Sequence, residues 1–223
     1  MIRTVPATGS TNDDVAALAR EGAAEGLWLR AERQTGGKGR QGRAWHSPAG
    51  NLHASTLVRL RPGDPPAPTL ALVAAVALAD AVRPHAPGAR IKWPNDLLLD
   101  GAKLAGILLE RQEDAVIIGF GANLAAHPEG LDRPAASLGA GVAPEALLAR
   151  LAAAFEAWLS RWRAEGLAPV RAAWLAAAHP IGTALSARDA QGSFDGLDES
   201  GALRLRLADG SLRVVHAGDI FLI

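Results

Sequence analysis

Residues 36–42 read GGKGRQG, and Gly37-Lys38-Gly39-Arg40-Gln41-Gly42 fits the spacing G-x-G-x-x-G. Between a strand and a helix, that spacing specifies the phosphate turn of a parallel, doubly wound dinucleotide-binding sheet. A strand does precede it, LWLRAE at 27–32. The segment that follows, RAWHSPAGNL, carries Pro48 and Gly50 and has no helical apolar period. About 20 positions on, where an acidic residue should end a second parallel strand, the chain reads RLRPGDPP. The doubly wound fold is therefore excluded, and a nicotinamide cofactor with it. A P-loop fails as well, because Gly37-Lys38 is followed by Gly39 and not by Ser or Thr. What remains is a loop with unobstructed backbone N–H groups and three cations, Lys38, Arg40 and Arg43. Such a loop suits a phosphate-rich or carboxylate ligand. Taken alone, it is equally well a surface loop with solvated charges.

The rest of the pattern predicts an α+β chain. A helix is expected from Asn12 to about Glu21, with Ser10 and Thr11 as caps and Asp13 and Asp14 in its first turn. NLHASTLVRL at 51–60 alternates as a strand, and residues 69–82 form a helix. Its apolar core, LALVAAVALA, is too short to span a bilayer and reads as buried. ARIKW is a short strand. DLLLDGAKLAGILLE is a hairpin turning at Asp100-Gly101, and AVIIGFGANL is another strand. Helices follow at 144–163, with Pro144 in the first turn, and at about 167–178. After His179-Pro180 the composition changes to short strands (TALSA, SFDGLD, ALRLRLA, SLRVVHA and DIFLI), which describes a small β-barrel-like unit. Two domains are expected, 1–178 and 179–223.

About half of the residues are apolar, so a packed core is affordable. Lys plus Arg equals Asp plus Glu, which disfavours a dedicated nucleic-acid binder and leaves room only for a local basic patch. There is no cysteine, so disulfides, thiolate metal sites and thiol nucleophiles are excluded. The N-terminal segment has no apolar signal core, and a cytoplasmic location is expected.

Three further segments carry chemistry. Ser10, Thr11 and Asn12 offer neutral donors and acceptors at a helix start, although capping accounts for one of them. Lys92-Trp93-Pro94-Asn95-Asp96 puts a cation and a carboxylate beside the hairpin that bears Lys103, so both lysines could reach one cleft. Asp96 could ligate magnesium or pair with Lys92. In IIGFGANL, Gly119 and Gly121 allow close approach to the backbone, and Asn123 has an amide able to read a base edge.

Together and in order, GSTN, ERQTGGKGRQGRAWHSPAGNL, KWPNDLLLDGAKLAGILLE and IIGFGANL resemble the biotin–protein ligases. The tail resembles their small SH3-like C-terminal domain. The resemblance implies a mixed or antiparallel sheet with flanking helices, of the class II synthetase-like kind shared with lipoate ligases. It implies an enzyme that joins biotin to ATP with magnesium, giving biotinyl-adenylate. That intermediate would pass its biotinyl group to one lysine of a biotin carboxyl carrier domain. By the same resemblance, Ser10, Thr11, Asn12 and Gln34 bind the ureido ring. Gly37 and Lys38 line the closing loop, and Gly106 packs on biotin. Arg40, Arg43 and Lys92 contact phosphate, Trp45 packs near adenine, and Asn123 reads it. Lys103 is the central cation between the biotin carboxylate and the α-phosphate, and Asp96 is a magnesium ligand.

Lys38, Gln41 and His53 depart from the residues usual in the family: arginine, a basic residue and an aromatic. The first motif begins by residue 8, so no N-terminal DNA-binding domain and no repressor function are expected. Homodimerisation through a sheet edge is compatible with the resemblance, but the sequence does not locate such an edge. A lipoate or octanoate ligase is the nearest rival, and a non-catalytic biotin or nucleotide sensor is a rival of another class.

Overall fold

A computed structural model describes residues 1–130, 133–187 and 190–223. The chain opens with β1 (Ile2–Thr8), α1 (Thr11–Arg20), β2 (Trp28–Gln34) and β3 (Leu52–Arg59). Then come α2 (Leu70–Val82), β4 (Arg90–Lys92), β5 (Asp96–Leu99), β6 (Ala102–Gln112) and β7 (Ala115–Ala122). Helices α3 (Pro144–Glu165) and α4 (Leu167–Ala177) lead to β8 (Ala184–Ala187), β9 (Ala190–Leu197), β10 (Leu203–Arg206), β11 (Leu212–Val215) and β12 (Phe221–Leu222).

Seven strands form one sheet in the order β1-β2-β3-β7-β6-β5-β4. All its pairs are antiparallel except β1 with β2, so the sheet is mixed, as expected. The β5–β6 hairpin turns at Asp100 and Gly101, both at positive φ, which is the backbone a two-residue hairpin turn requires. The sequence reading assigned no element to residues 2–8. The reason is physical: β1 is an edge strand, mostly exposed, with Pro6 within it, so it shows neither apolar alternation nor a full set of donors.

Helix α2 is buried on nearly every side, which explains its uniformly apolar sequence. One face of the sheet packs on α2 and α3, where Trp28, Phe120 and Phe155 meet edge-to-face and tilted. Trp162 is fully buried on α3 and donates to Thr69 Oγ1 at 2.9 Å. The opposite face carries α1 through Val15, Ala16 and Ala19 against Leu29, Leu57 and Ile117.

The tail forms a five-stranded antiparallel sheet, β11-β10-β9-β8-β12. It shares a core with α4, where Trp174 meets Phe194 at 6.2 Å. Trp93 Nε1 also donates to the carbonyl of Gly201 at 3.3 Å. The turn between β9 and β10 therefore sits against the segment that joins β4 to β5 of the large sheet. Among the described residues, no helix is long and apolar enough to cross a membrane.

Candidate active site

The face of the sheet beside α1 gathers the residues singled out in the sequence, in two adjoining parts. The first is buried and neutral. Ser10, Thr11 and Asn12 are each under 5% exposed at the start of α1. Ser10 occupies the N-cap position, but its side chain makes no capping bond. Thr11 donates to Gln34 Oε1 from its backbone N at 2.8 Å and lies 3.0 Å from it through Oγ1. Gln34 Nε2 donates to Ser47 Oγ at 3.0 Å. Thr11 Oγ1 is 2.7 Å from Ser55 Oγ, which donates to Asn12 Oδ1 at 2.6 Å. Asn12 Nδ2 donates to Glu110 Oε2 at 2.6 Å. Asn12 fits above β7 because residue 119 is glycine; a Cβ there would lie 3.0 Å from Asn12 Cγ and closer still to Oδ1.

The second part is a cavity of about 710 Å³ whose wall carries Lys38, Arg40, Arg43, Lys92, Lys103 and Arg133. Asp96 and Asp219 are its carboxylates. The chain is neutral overall, but this wall is strongly positive. Gly106, Gly119, Gly121 and Asn123 also line it, whereas Ser10, Thr11, Asn12 and Gln34 do not. Gly119 thus stands between the two parts. The Trp45 indole lies flat on the strands here. A Cβ at Gly121 would approach its atoms to 2.5–2.7 Å, and one at Gly106 to 3.3 Å. Trp45 Nε1 is buried without a hydrogen-bond partner. Lys103 Nζ lies 5.4 Å from the indole centroid, within cation–π range.

The glycine loop folds into a small hairpin. Gly39 N donates to Arg43 O at 2.7 Å and Trp45 N to Gly37 O at 2.9 Å, with Gln41 left-handed at the exposed tip. Lys38 reaches Asp13, 2.7 Å from both carboxylate oxygens, and that hydrogen bond holds its pKa above the usual lysine value. Arg40 donates to Asn95 Oδ1 and to Gly218 O, each at 3.2 Å, and lies 3.4 Å from Asp219. Arg43 pairs with Asp219 at 3.1 Å. Burial pushes the Asp219 carboxyl up, but Arg43, Arg40 and Arg133 outweigh it and hold the group below the usual range.

Both hairpin lysines reach one cleft. Lys103 lies 2.7 Å from Asp96 Oδ1, in ion-pair contact but off the angle of a hydrogen bond, and Lys92 donates to Oδ2 at 3.3 Å. Burial lowers the pKa of Lys92; nearby Lys103 and Arg133 add to the drop and Asp96 opposes it. Asp96 is thus engaged by two ammonium groups, and among the described residues no three His, Cys, Asp or Glu side chains cluster to hold a metal. The donor set does not fit a resident magnesium site.

Asn123 is buried, and its amide nitrogen donates to Lys103 O at 3.3 Å and Ala136 O at 3.1 Å. The amide thereby braces the backbone that carries Lys103 and leaves only its oxygen for a further partner. His53 is buried with Nε2 3.0 Å from Pro48 O, and burial lowers its pKa, favouring the neutral ring. Sequence reasoning did not select Ser55, Glu110, Asn95, Arg133 or Asp219. Two successive hydroxyl residues, Ser55-Thr56, inside a strand buried on both faces were the available signal for the first. Asp219 had none, because its partners lie far away in the sequence.

Residues 6–123 match the model of the biotin/lipoate A/B protein ligase family, and residues 183–223 match the biotin protein ligase C-terminal domain. The chain belongs to this ligase family. It is 41% identical to a biotin–[acetyl-CoA-carboxylase] ligase of Paracoccus denitrificans, over 96% of this chain and 97% of that one. It is 38% identical to the ligase of the same name from Mycobacterium tuberculosis, over 97% of this chain and 86% of that one. A biotin protein ligase from Aquifex aeolicus, solved with biotin and ATP, superposes with a TM-score of 0.86 at 24% identity. That match covers 100% of this chain and 98% of the other, and it supports the fold.

Proposed function

We infer that the protein is a biotin–protein ligase. The biotin carboxylate attacks the α-phosphorus of ATP; a C–O–P linkage forms, the bond to pyrophosphate breaks, and biotinyl-adenylate results. A lysine amine of a carboxylase carrier domain then attacks the acyl carbon, and AMP leaves. Magnesium accompanies the ATP phosphates as part of the substrate and supplies charge neutralisation there.

The observation that carries this reading is the junction at Gly119 of a buried, hydrogen-bonded cluster of uncharged side chains with a cation-walled cavity. An uncharged cyclic urea suits the first part, and a triphosphate suits the second. Ser10, Thr11, Asn12 and Gln34 hold the ureido ring, Gly106 on the cavity wall lets the ligand lie close to the backbone, and Gly37 serves the binding loop by letting Ser47 and the Trp45 carbonyl pack on it. Lys103 offsets charge between the carboxylate and the α-phosphate, with Asp96 orienting it by their 2.7 Å contact. Arg40, Arg43 and Lys92 bind phosphate; nucleotide entry requires Asp219 to release the two arginines it engages. The free oxygen of Asn123 accepts from the adenine amino group, and Trp45 packs beside the nucleotide. Lys38 belongs to the loop that closes over the adenylate and excludes water. Residues 1–178 form the catalytic unit and 179–223 the accessory one, working in the cytoplasm.

The lipoate or octanoate reading leaves the neutral set without a purpose, because those acids have no ureido N–H. A non-catalytic sensor has no need of Lys103 and Arg40. The test is ATP-dependent labelling of a purified biotin carboxyl carrier domain, read by mass spectrometry, with biotin or lipoate as the acid. A biotin adduct on one lysine is expected. A lipoyl adduct, or none with either acid, would reject the reading.

A further inference from the structure

We propose that Arg133 is a further phosphate-contacting residue, which takes the charge of the departing pyrophosphate, and that Phe221 of the small sheet positions it. The proposal rests on the ligase reading above and deepens it, because the C-terminal unit then supplies part of the nucleotide site.

Every other cation on the cavity wall is already engaged by a carboxylate. Lys38 pairs with Asp13, Arg40 and Arg43 with Asp219, and Lys92 and Lys103 with Asp96. Arg133 lines the same cavity, and among the described residues no carboxylate or carbonyl takes its guanidinium. Its contact is with an aromatic ring: Cζ lies 3.8 Å from the centroid of Phe221. At that stacking distance the flat guanidinium meets the ring with its face. Its N–H edge stays free, and that edge grips a phosphate through parallel hydrogen bonds.

Both partners are held in place. In Ile220-Phe221-Leu222, Ile220 is buried in the shared core and Leu222 packs against it, whereas Phe221 between them lines the cavity. Strand alternation accounts for that placement. The chain that follows Arg133 is tied to β6: Lys103 N donates to Pro134 O at 2.8 Å, and Ala136 N donates to Lys103 O at 2.9 Å. Arg133 therefore stands on a braced backbone beside the central lysine.

Its charge is felt at both carboxylates of the cavity. It adds to the drop in the Lys92 pKa, beside Asp96, and helps to hold Asp219 below its usual range. With the α-phosphate at Lys103, phosphates extending from the Asp96 lysines toward the Asp219 arginines pass Arg133. Arg40 and Arg43 must give up Asp219 to bind phosphate, and Arg133 gives up nothing. A cation already aimed at the leaving group stabilises charge as it develops there.

The test uses the full-length protein in ATP–pyrophosphate exchange with each substrate varied, beside transfer of biotin from preformed biotinyl-adenylate to a carrier domain. That second step involves no pyrophosphate. In Arg133→Gln the KM values for ATP and pyrophosphate are expected to rise about tenfold, the worth of one charged hydrogen bond. Biotin KM should stay within about twofold, transfer from the adenylate should be unchanged, and Tm should move by less than about 2 °C. Phe221→Leu should give the same pattern more weakly, and the double variant should be no worse than Arg133→Gln, because Phe221 acts through Arg133. Wild-type KM values in Arg133→Gln, an equal rise for biotin and ATP, or slowed transfer from the adenylate would overturn the phosphate role. Unchanged kinetics in Phe221→Leu, or losses that add in full in the double variant, would overturn the positioning by Phe221. Wild type that fails to exchange with biotin at all would remove the function reading and this proposal together, an outcome recognisable without the variants.

Discussion

Gly119→Ala is the substitution whose consequence the geometry fixes most closely. The new methyl would lie 3.0 Å from Asn12 Cγ and 3.2 Å from Nδ2, and nearer still to Oδ1. The amide cannot swing away freely, because 2.6 Å bonds to Ser55 and Glu110 hold it at both ends. Relief therefore breaks at least one buried bond or shifts β7 against α1. Overpacking of this kind costs about 1–3 kcal/mol. A loss near 2 kcal/mol lowers Tm by about 4–8 °C in a chain of this size. Misplacing Asn12 also removes one hydrogen bond to the ligand, about 1–1.5 kcal/mol, or roughly tenfold in biotin KM. Phosphate contacts lie elsewhere, so the KM for ATP should stay within about twofold. Gly106→Ala is the softer comparison: its methyl meets Lys103 Cε and Nζ and a Trp45 atom at 3.3 Å, and the lysine end can yield. The assay is pyrophosphate exchange with each substrate varied, beside a thermal melt. Wild-type biotin KM and Tm in Gly119→Ala would refute the placement of Asn12. An equal rise in both KM values would refute the separation of the two parts.

Other substitutions test the cationic part. Lys103→Ala should abolish adenylate formation while moving Tm by less than about 2 °C, since the side chain is 37% exposed and Lys92 still pairs with Asp96. Normal exchange would remove its central role. Because its pKa is lowered, Lys92 loses its charge at a lower pH than an ordinary lysine. kcat/KM for ATP should therefore fall on the alkaline side before ordinary lysines titrate, and Lys92→Arg should move that limb upward; an unmoved limb would clear Lys92. Arg40→Gly removes the bonds to Asn95 and Gly218 and should let adenylate escape. Biotin would then appear on bystander proteins mixed with the enzyme, and clean labelling of the carrier alone would contradict this.

Local signals in the sequence were sufficient wherever structure is locally determined. Asp100-Gly101 specified its turn, and the apolar run of α2 specified a buried helix. The order of motifs brought Lys92, Asp96 and Lys103 into one cleft. What escaped was set by distant partners. β1 has little apolar face and exists through parallel pairing with β2. Ser55 and Glu110 gain meaning only from Thr11 and Asn12, which reach them from another element. Asp219 meets Arg40 and Arg43 because the tail folds back over the large sheet. Asn123 read as a recognition amide, but its two donors brace Lys103 and Ala136, which no local pattern announces.

The measurement that bears most directly on the account is ATP–pyrophosphate exchange with magnesium, run with biotin, lipoate, octanoate and no acid. The account predicts exchange with biotin alone, because only biotin offers a ureido ring to the uncharged polar cluster while its carboxylate reaches Lys103. Exchange supported equally by lipoate or octanoate would contradict it.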